Sequence, residues 1–183
     1  MKISILLDTV DSFLHDYVGA LIRELKGKGH EVHFFQDHRE IEPGDMLFLL
    51  ACKTILTKKQ LSLNKNNLVI HPSKLPEGRG SAALIWKILE GANKIYITLF
   101  EANEAIDQGH IYLQEAIEFE GHELSDEIRH KQALKTVELV LRYVDEHKNI
   151  EPKKQEGKGS FYRKRKPKDS ELDIDKTIRD QFN

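Results

Sequence analysis

The amino-terminal stretch KISILLDTVDSFLHDYVGALIRELKGKGHEVHFF, residues 2–35, decides the fold class. Lys2 to Leu7 is a short, almost unbroken apolar run, which reads as a buried strand. Ser12 to Lys28 then places Leu14, Val18, Leu21, Ile22 and Leu25 on one stripe, the pattern of an amphipathic helix. Gly27 and Gly29 end that helix, and Glu31 to Phe35 is the next strand. A strand, a helix and a strand in succession open an alternating pattern, and alternation implies a parallel or mostly parallel sheet of the α/β class.

The pattern continues outward from there. Further strands are expected at Asp45 to Leu50, Leu68 to His71, Lys94 to Phe100 and His110 to Phe119. Helices are expected at Thr57 to Leu63, at Ser81 to Leu89 before Gly91, and at Glu123 to His147. The last has Leu124, Ile128, Leu134, Val137, Leu141 and Val144 in phase. In such sheets ligands bind beyond the carboxyl ends of the strands. Three segments are thereby drawn to one site: Asp8 to Ser12, His71 to Gly80, and the loop before Asp107.

Composition narrows the class further. The 183 residues suit one domain, or one domain with an appendage, and need no disulfide or metal staple. Apolar residues make up 39% and charged residues 32%, a globular balance that excludes collagen, a disulfide scaffold and a coiled coil. Apolar runs such as Met46 to Cys52 are too short to span a membrane. Met1 and Lys2 are expected to lead straight into a strand, and no secretory leader is expected. Cys52 is alone, so no internal disulfide can form, and a reducing cytoplasm is the expected location.

Charge is spread unevenly. The net formal charge is −2, with no polyanion-binding signature for the whole chain. Glu151 to Lys168, however, carries eight Lys or Arg against two Glu, with two Pro and two Gly. Residues 1–150 are therefore expected to form the main domain, and residues 151–183 a basic extension outside its core. That extension reads either as a solvated tail or as a clamp for an anionic substrate or partner.

Several familiar signatures are missing. Asp8-Thr9-Val10-Asp11-Ser12 follows the first strand without a glycine, so there is neither a dinucleotide fingerprint nor a Walker-type phosphate loop. His30, His33 and His38 lie near one another in sequence, but no thiolate or carboxylate spacing supports a metal, and none is expected. Trp86 reads as core packing, Ser73 as a loop hydrogen-bonder and Cys52 as a small buried side chain. The informative stretch is Asn67-Leu-Val-Ile-His71-Pro-Ser-Lys-Leu-Pro76-Glu-Gly-Arg-Gly80. A histidine leaves a buried strand and is followed by a loop stiffened by two prolines. Later, Asp107 stands before Gly109 and a strand. The two can form a proton-handling pair. A capping aspartate and a satisfied histidine explain the same residues and stay open.

Ile70-His71-Pro72-Ser73-Lys74-Leu75-Pro76 with Arg79-Gly80, followed by Ile106-Asp107-Gln108-Gly109-His110-Ile111, resembles the folate-dependent formyltransferases in order and separation. Leu89-Glu90-Gly91, Tyr112-Leu113-Gln114 and Asp45 to Leu56 are also similar to that family. The tail from Phe161 to Asp169, with Leu172-Asp173, resembles the amino-sugar branch. The resemblance covers nearly the whole chain. It implies a Rossmann-like domain with a mostly parallel central sheet flanked by helices and a short hairpin-like tail. It also implies transfer of a formyl group from N10-formyltetrahydrofolate to a primary amine, with no metal.

On this resemblance, His71 stabilises the tetrahedral oxyanion, and Asp107 orients it and helps move the amine proton. Lys53, Thr54, Ile55 and Leu56, with Asn103, Glu104, Ala105 and Ile106, line the pterin pocket. One departure stands out. The family usually has an asparagine two residues before the histidine as a second oxyanion donor, and here that position is Val69. Valine cannot donate. Asn67, on the same strand face, is about 6.6 Å further back and is a weak candidate to replace it. The implied acceptor is an amino sugar, either a nucleotide-linked 4-amino-deoxy hexose or an amino-nonulosonic acid for surface glycans. Nucleic acid and membrane are not expected partners, and a homodimer is left open. Two alternatives remain: a purine-pathway glycinamide ribonucleotide formyltransferase, and a folate- or sugar-binding module without turnover.

Overall fold

A computed structural model describes residues 1–182. Six strands form one sheet: β1 (Lys2–Leu6), β2 (Glu31–Phe35), β3 (Gly44–Leu49), β4 (Asn64–His71), β6 (Lys94–Glu101) and β7 (Ile111–Glu118). Their order is β2-β1-β3-β4-β6-β7. The first four are mutually parallel, and β6 runs antiparallel to both β4 and β7. The sheet is thus mostly parallel, with one reversed strand. Its neighbours are the helices α1 (His15–Gly27), α2 (Lys58–Leu61), α3 (Ala83–Leu89) and α4 (Ser125–Glu146).

The sheet is buried unequally on its two faces. Ile3, Ile5 and Leu7 of the first strand and its exit pack with Met46, Phe48 and Leu68 beneath α1 and α4. On the opposite face Leu6, Leu47, Leu49, Ile41 and Leu56 form a smaller cluster, partly covered by Leu61 and Leu63 at the short α2. Burial of both faces explains why β1 and β3 read as continuous apolar runs and not as alternating ones.

Helix α1 buries Val18, Leu21 and Leu25 and ends at Gly27, and the chain turns away just after it at Gly29, whose φ of +83° lies in the left-handed region. It begins at His15 and not at Ser12. Ser12 instead forms a turn, with its Oγ accepting from the Leu14 N–H at 3.3 Å. The stripe of α4 also differs from the expected one. Leu124 and Leu134 are exposed, while Ala133, Thr136, Val140 and Tyr143 face the core. Tyr143 packs edge-on against Phe48 and tilted against Tyr112.

Strand β4 is four residues longer than its apolar run, since it starts at Asn64. Strand β3 pairs with it from Asn64 to Val69, whereas β6 pairs with it only from Leu68 to His71. Polar residues fit there because a side chain completes the edge: Glu101 accepts from the Asn67 N–H at 2.8 Å and from the Tyr112 hydroxyl at 2.8 Å. Burial pushes the Glu101 carboxyl up, and burial beside Glu101 pushes Tyr112 up to about 12.

The extension after α4 pairs with the domain and not with itself. Lys153 bridges Ile111 antiparallel, and β8 (Phe161–Tyr162) pairs parallel with β5 (Arg79–Gly80). Gly80 is required at that second seam. Its φ is +95°, and a Cβ there would sit 2.4 Å from the Tyr162 carbonyl oxygen. Trp86 stacks on Tyr162, with ring centroids 6.0 Å apart, and donates to the Arg163 carbonyl at 3.0 Å. Trp86 therefore anchors the tail rather than filling the core. Among the described residues, no helix is long and apolar enough to cross a membrane.

Candidate active site

The exits of β1, β3 and β4 converge on a cavity of about 680 Å³, within the range of small-molecule sites. His71 is the last residue of β4 and is 8% exposed. Its Nε2 lies 2.8 Å from the Gly78 carbonyl oxygen. A carbonyl only accepts, so this nitrogen carries a proton. Oδ2 of Asp107 is 3.9 Å from the same nitrogen, too long for a hydrogen bond but within reach of a small shift.

How Asp107 reaches this position follows from the reversed strand. Strand β6 passes His71 at Thr98 and ends at Glu101, opposite Leu68, about 10 Å farther along β4. The connection through residues 102–110 must therefore double back. Two features make that turn. Asp107 has φ +52°, in the left-handed region. Gly109 lies against β6 so closely that a Cβ would fall 1.6 Å from the Glu101 carbonyl oxygen. Oδ2 of Asp107 then accepts from the Gly80 N–H at 2.7 Å, which fixes the carboxylate beside the loop that follows His71.

Across the cavity, the segment after β3 is held from β1. The two carboxylate oxygens of Asp8 accept from the N–H groups of Lys53 and Thr54 at 2.8 and 3.0 Å. Thr9 donates to the Ala51 carbonyl at 2.7 Å, and Ala51 itself has φ +50°. Burial pushes the Asp8 carboxyl up, but the hydrogen bonds from Thr54 and from both backbone N–H groups outweigh it and hold the pKa below its usual value. Beside this loop, Cys52 donates to the Leu6 carbonyl, and burial pushes its thiol up to about 12. A thiol so raised is no nucleophile.

The expected site residues divide on this geometry. His71, Asp107, Lys53, Thr54, Ile55, Leu56, Asn103, Ala105 and Ile106 all line the cavity. Glu104 does not; it is exposed on the same loop, where Asn103 Oδ1 accepts from the Ala105 N–H at 2.9 Å. Asn67 is a correction. Its side-chain nitrogen donates to the Leu61 carbonyl at 2.9 Å, at the α2 side of β4, and it is not part of the cavity wall. Val69 is in that wall.

Other wall residues come from places without a sequence signal. Gln132 and Thr136 project from α4, and Phe161, Tyr162 and Lys164 from the tail. The tail residues are brought there by a two-residue strand, too short to show periodicity. The basic run itself marked that region of the chain, though not its position. Among the described residues, no group of three or more His, Cys, Asp or Glu side chains is arranged to hold a metal ion.

Comparison with known proteins follows this architecture. A methionyl-tRNA formyltransferase of Caldicellulosiruptor saccharolyticus is 32% identical over 136 residues, covering 74% of this chain and 43% of the relative. The chain spans half or less of the length of the curated relatives it matches. Among solved structures, a methionyl-tRNA formyltransferase from Clostridium thermocellum aligns with TM-score 0.83 at 21% identity, covering 100% of this chain and 80% of that one. The formyltransferase PseJ from Anoxybacillus kamchatkensis, solved with UDP-4,6-dideoxy-4-formamido-L-AltNAc and tetrahydrofolate, aligns with TM-score 0.66 at 17% identity, covering 88% and 85%. The formyl transferase family model matches residues 23–144, the span that carries five of the six strands of the main sheet, His71 and Asp107, and the chain therefore belongs to the formyl transferase family.

Proposed function

We propose that this protein transfers a formyl group from N10-formyltetrahydrofolate to the primary amine of an amino sugar. The observation that carries the reading is the pair His71 and Asp107, 3.9 Å apart in the wall of a cavity bounded by the 53–56 and 103–106 segments. In the reaction the amine nitrogen bonds to the formyl carbon and the bond from that carbon to N10 breaks. One proton leaves the amine and one arrives at N10. The Nε2–H of His71, once it turns from the Gly78 carbonyl, donates to the developing oxyanion, and Asp107, brought within hydrogen-bond reach by a small shift, orients the ring and takes part in moving the proton.

The loops at Lys53 to Leu56 and Asn103 to Ile106 suit a flat heteroaromatic ring read by backbone groups. At the other side, Phe161, Tyr162 and Lys164 offer two aromatic rings and a cation, which match a nucleotide diphosphate carrying the sugar. The ligands bound to PseJ are of this kind. A methionyl-tRNA acceptor is the second reading, favoured by the sequence relatives.

The test is an acceptor panel with N10-formyltetrahydrofolate as donor: nucleotide-linked 4-amino-dideoxy hexoses, an amino-nonulosonic acid, and methionyl-tRNA. Tetrahydrofolate release and a formyl mass gain are read together. Transfer to an amino sugar that falls about 10²- to 10⁴-fold in His71→Ala, with donor binding retained, supports the reading. Transfer to the tRNA alone moves it to the second acceptor. Donor binding without transfer to any acceptor refutes the enzyme.

A further inference from the structure

The loop that brings Asp107 back to His71 is not held by the main domain alone. From Lys153 the tail crosses the start of β7, with reciprocal hydrogen bonds between Lys153 and Ile111 at 2.7 and 2.8 Å. Two residues on, Gln155 turns inward and is half-buried, in a run of otherwise exposed residues. Its side-chain nitrogen donates to the carbonyls of Asp107 and Gly109, both at 2.9 Å. Its side-chain oxygen accepts from Arg79 Nη2 at 2.6 Å. Arg79 is the first residue of β5, and the next residue, Gly80, supplies the N–H that holds the Asp107 carboxylate. The tail then follows β5, with Ser160 bonding to Gly78, Arg79 and Pro76.

We propose that Gln155 is a positioning residue: one amide clamps the backbone of the Asp107 loop to the β5 edge and thereby sets the distance between Asp107 and His71. The inference rests on the reading of His71 and Asp107 as the reacting pair. A neutral amide suits this place for a chemical reason. The two loop carbonyls need donors, the guanidinium needs an acceptor, and an amide is the side-chain group that offers both. A carboxylate at the same position would satisfy Arg79 and face two carbonyl oxygens with no proton to offer. Gln155 is not itself in the cavity wall, and it holds the loop at Asp107 and Gly109 and not at Asn103 to Ile106, so its loss acts first on the Asp107–His71 pair.

The experiment compares Gln155→Leu, Gln155→Glu and Arg79→Met with the wild-type chain in two measurements. The first is steady-state transfer. A misplacement of about 1 Å in a reacting group costs about 10²-fold, so kcat should fall between about tenfold and a hundredfold in Gln155→Leu, with the donor KM within about twofold. Gln155→Glu should be no better than Gln155→Leu, although it keeps the Arg79 contact. The second measurement needs no turnover: hydrogen exchange at the Gly80 amide, whose N–H is bonded to the Asp107 carboxylate. It should accelerate in both Gln155 variants while exchange in the core of β1 and β3 stays unchanged. Wild-type kcat with unaltered Gly80 exchange in Gln155→Leu would overturn the proposal. If the wild-type protein transferred no formyl group, the function reading would fail by itself, and Gly80 exchange alone would still decide whether Gln155 holds the loop.

Discussion

The two loops that face each other across the cavity are held in opposite ways. The Lys53 to Leu56 segment is fastened from inside the domain: Asp8, at the exit of the first strand, accepts from two of its backbone N–H groups. The Asp107 loop is fastened from outside, by a glutamine on the extension and an N–H of a two-residue strand. The first loop follows a parallel strand and leaves the sheet at the site. The second follows the reversed β6 and must travel back to it. A loop delivered by strand direction needs one local anchor; a loop that retraces its path needs a tether from another part of the chain.

Substitution of Gly109 would break this comparison most strongly. Gly109→Ala puts a methyl group against the Glu101 backbone, where neither partner can yield cheaply. The whole 102–110 connection then has to shift. Transfer should fall about 10²-fold or more, and binding of tetrahydrofolate, measured calorimetrically, should weaken by less, because only the Asn103 to Ile106 side of the pterin pocket lies on this connection. Equal losses of binding and turnover would show that the two loops are not independent.

The complementary change is Asp8→Ala. It removes an acceptor from two charge-assisted hydrogen bonds, each worth about 1.5 to 3 kcal/mol. Part of that is recovered by water at the rim. Donor affinity should fall about tenfold, equivalent to about 1.4 kcal/mol, with kcat at saturating donor nearly unchanged. A kcat effect larger than the KM effect would reverse the assignment of this loop to donor binding.

Acid sharpens the same contrast with a smaller effect. The Asp8 carboxyl titrates below its usual value in the folded chain. Its contribution is therefore complete above the ordinary carboxylate range and is lost as pH falls through the lowered folded value. Gln155 does not titrate. Donor affinity should weaken by a few-fold on acidification below the ordinary aspartate range, and this acid limb should be missing in Asp8→Asn. An unchanged acid limb in that variant would show that another carboxylate controls the donor loop.

The sequence made the alternation of strands and helices legible, because apolar periodicity reports which face is buried. His71 and Asp107 were legible as residues at strand exits, and the geometry puts them in one cavity wall. Strand direction was not legible. The run Lys94 to Glu101 has the same burial pattern whether it runs up or down the sheet, so the reversal of β6 leaves no trace in it. The extra length of β4, Asn64 to Asn67, was hidden because its open edge is completed by Glu101, 34 residues from Asn67. Asn67 itself was misjudged for a related reason: pleating puts it on the face of His71, but the amide is used by Leu61 before it can reach the site. Gln155 gave no signal at all. A single glutamine among lysines looks solvated until both loop carbonyls and Arg79 are seen around it.

Trp86 is the single tryptophan of the chain, and it lies against Tyr162 with the Arg163 guanidinium 4.8 Å from its ring. The seam between tail and domain is thereby coupled to one natural fluorophore. The emission of this protein reports, without any label, whether the extension that reaches the Asp107 loop is seated or has lifted away.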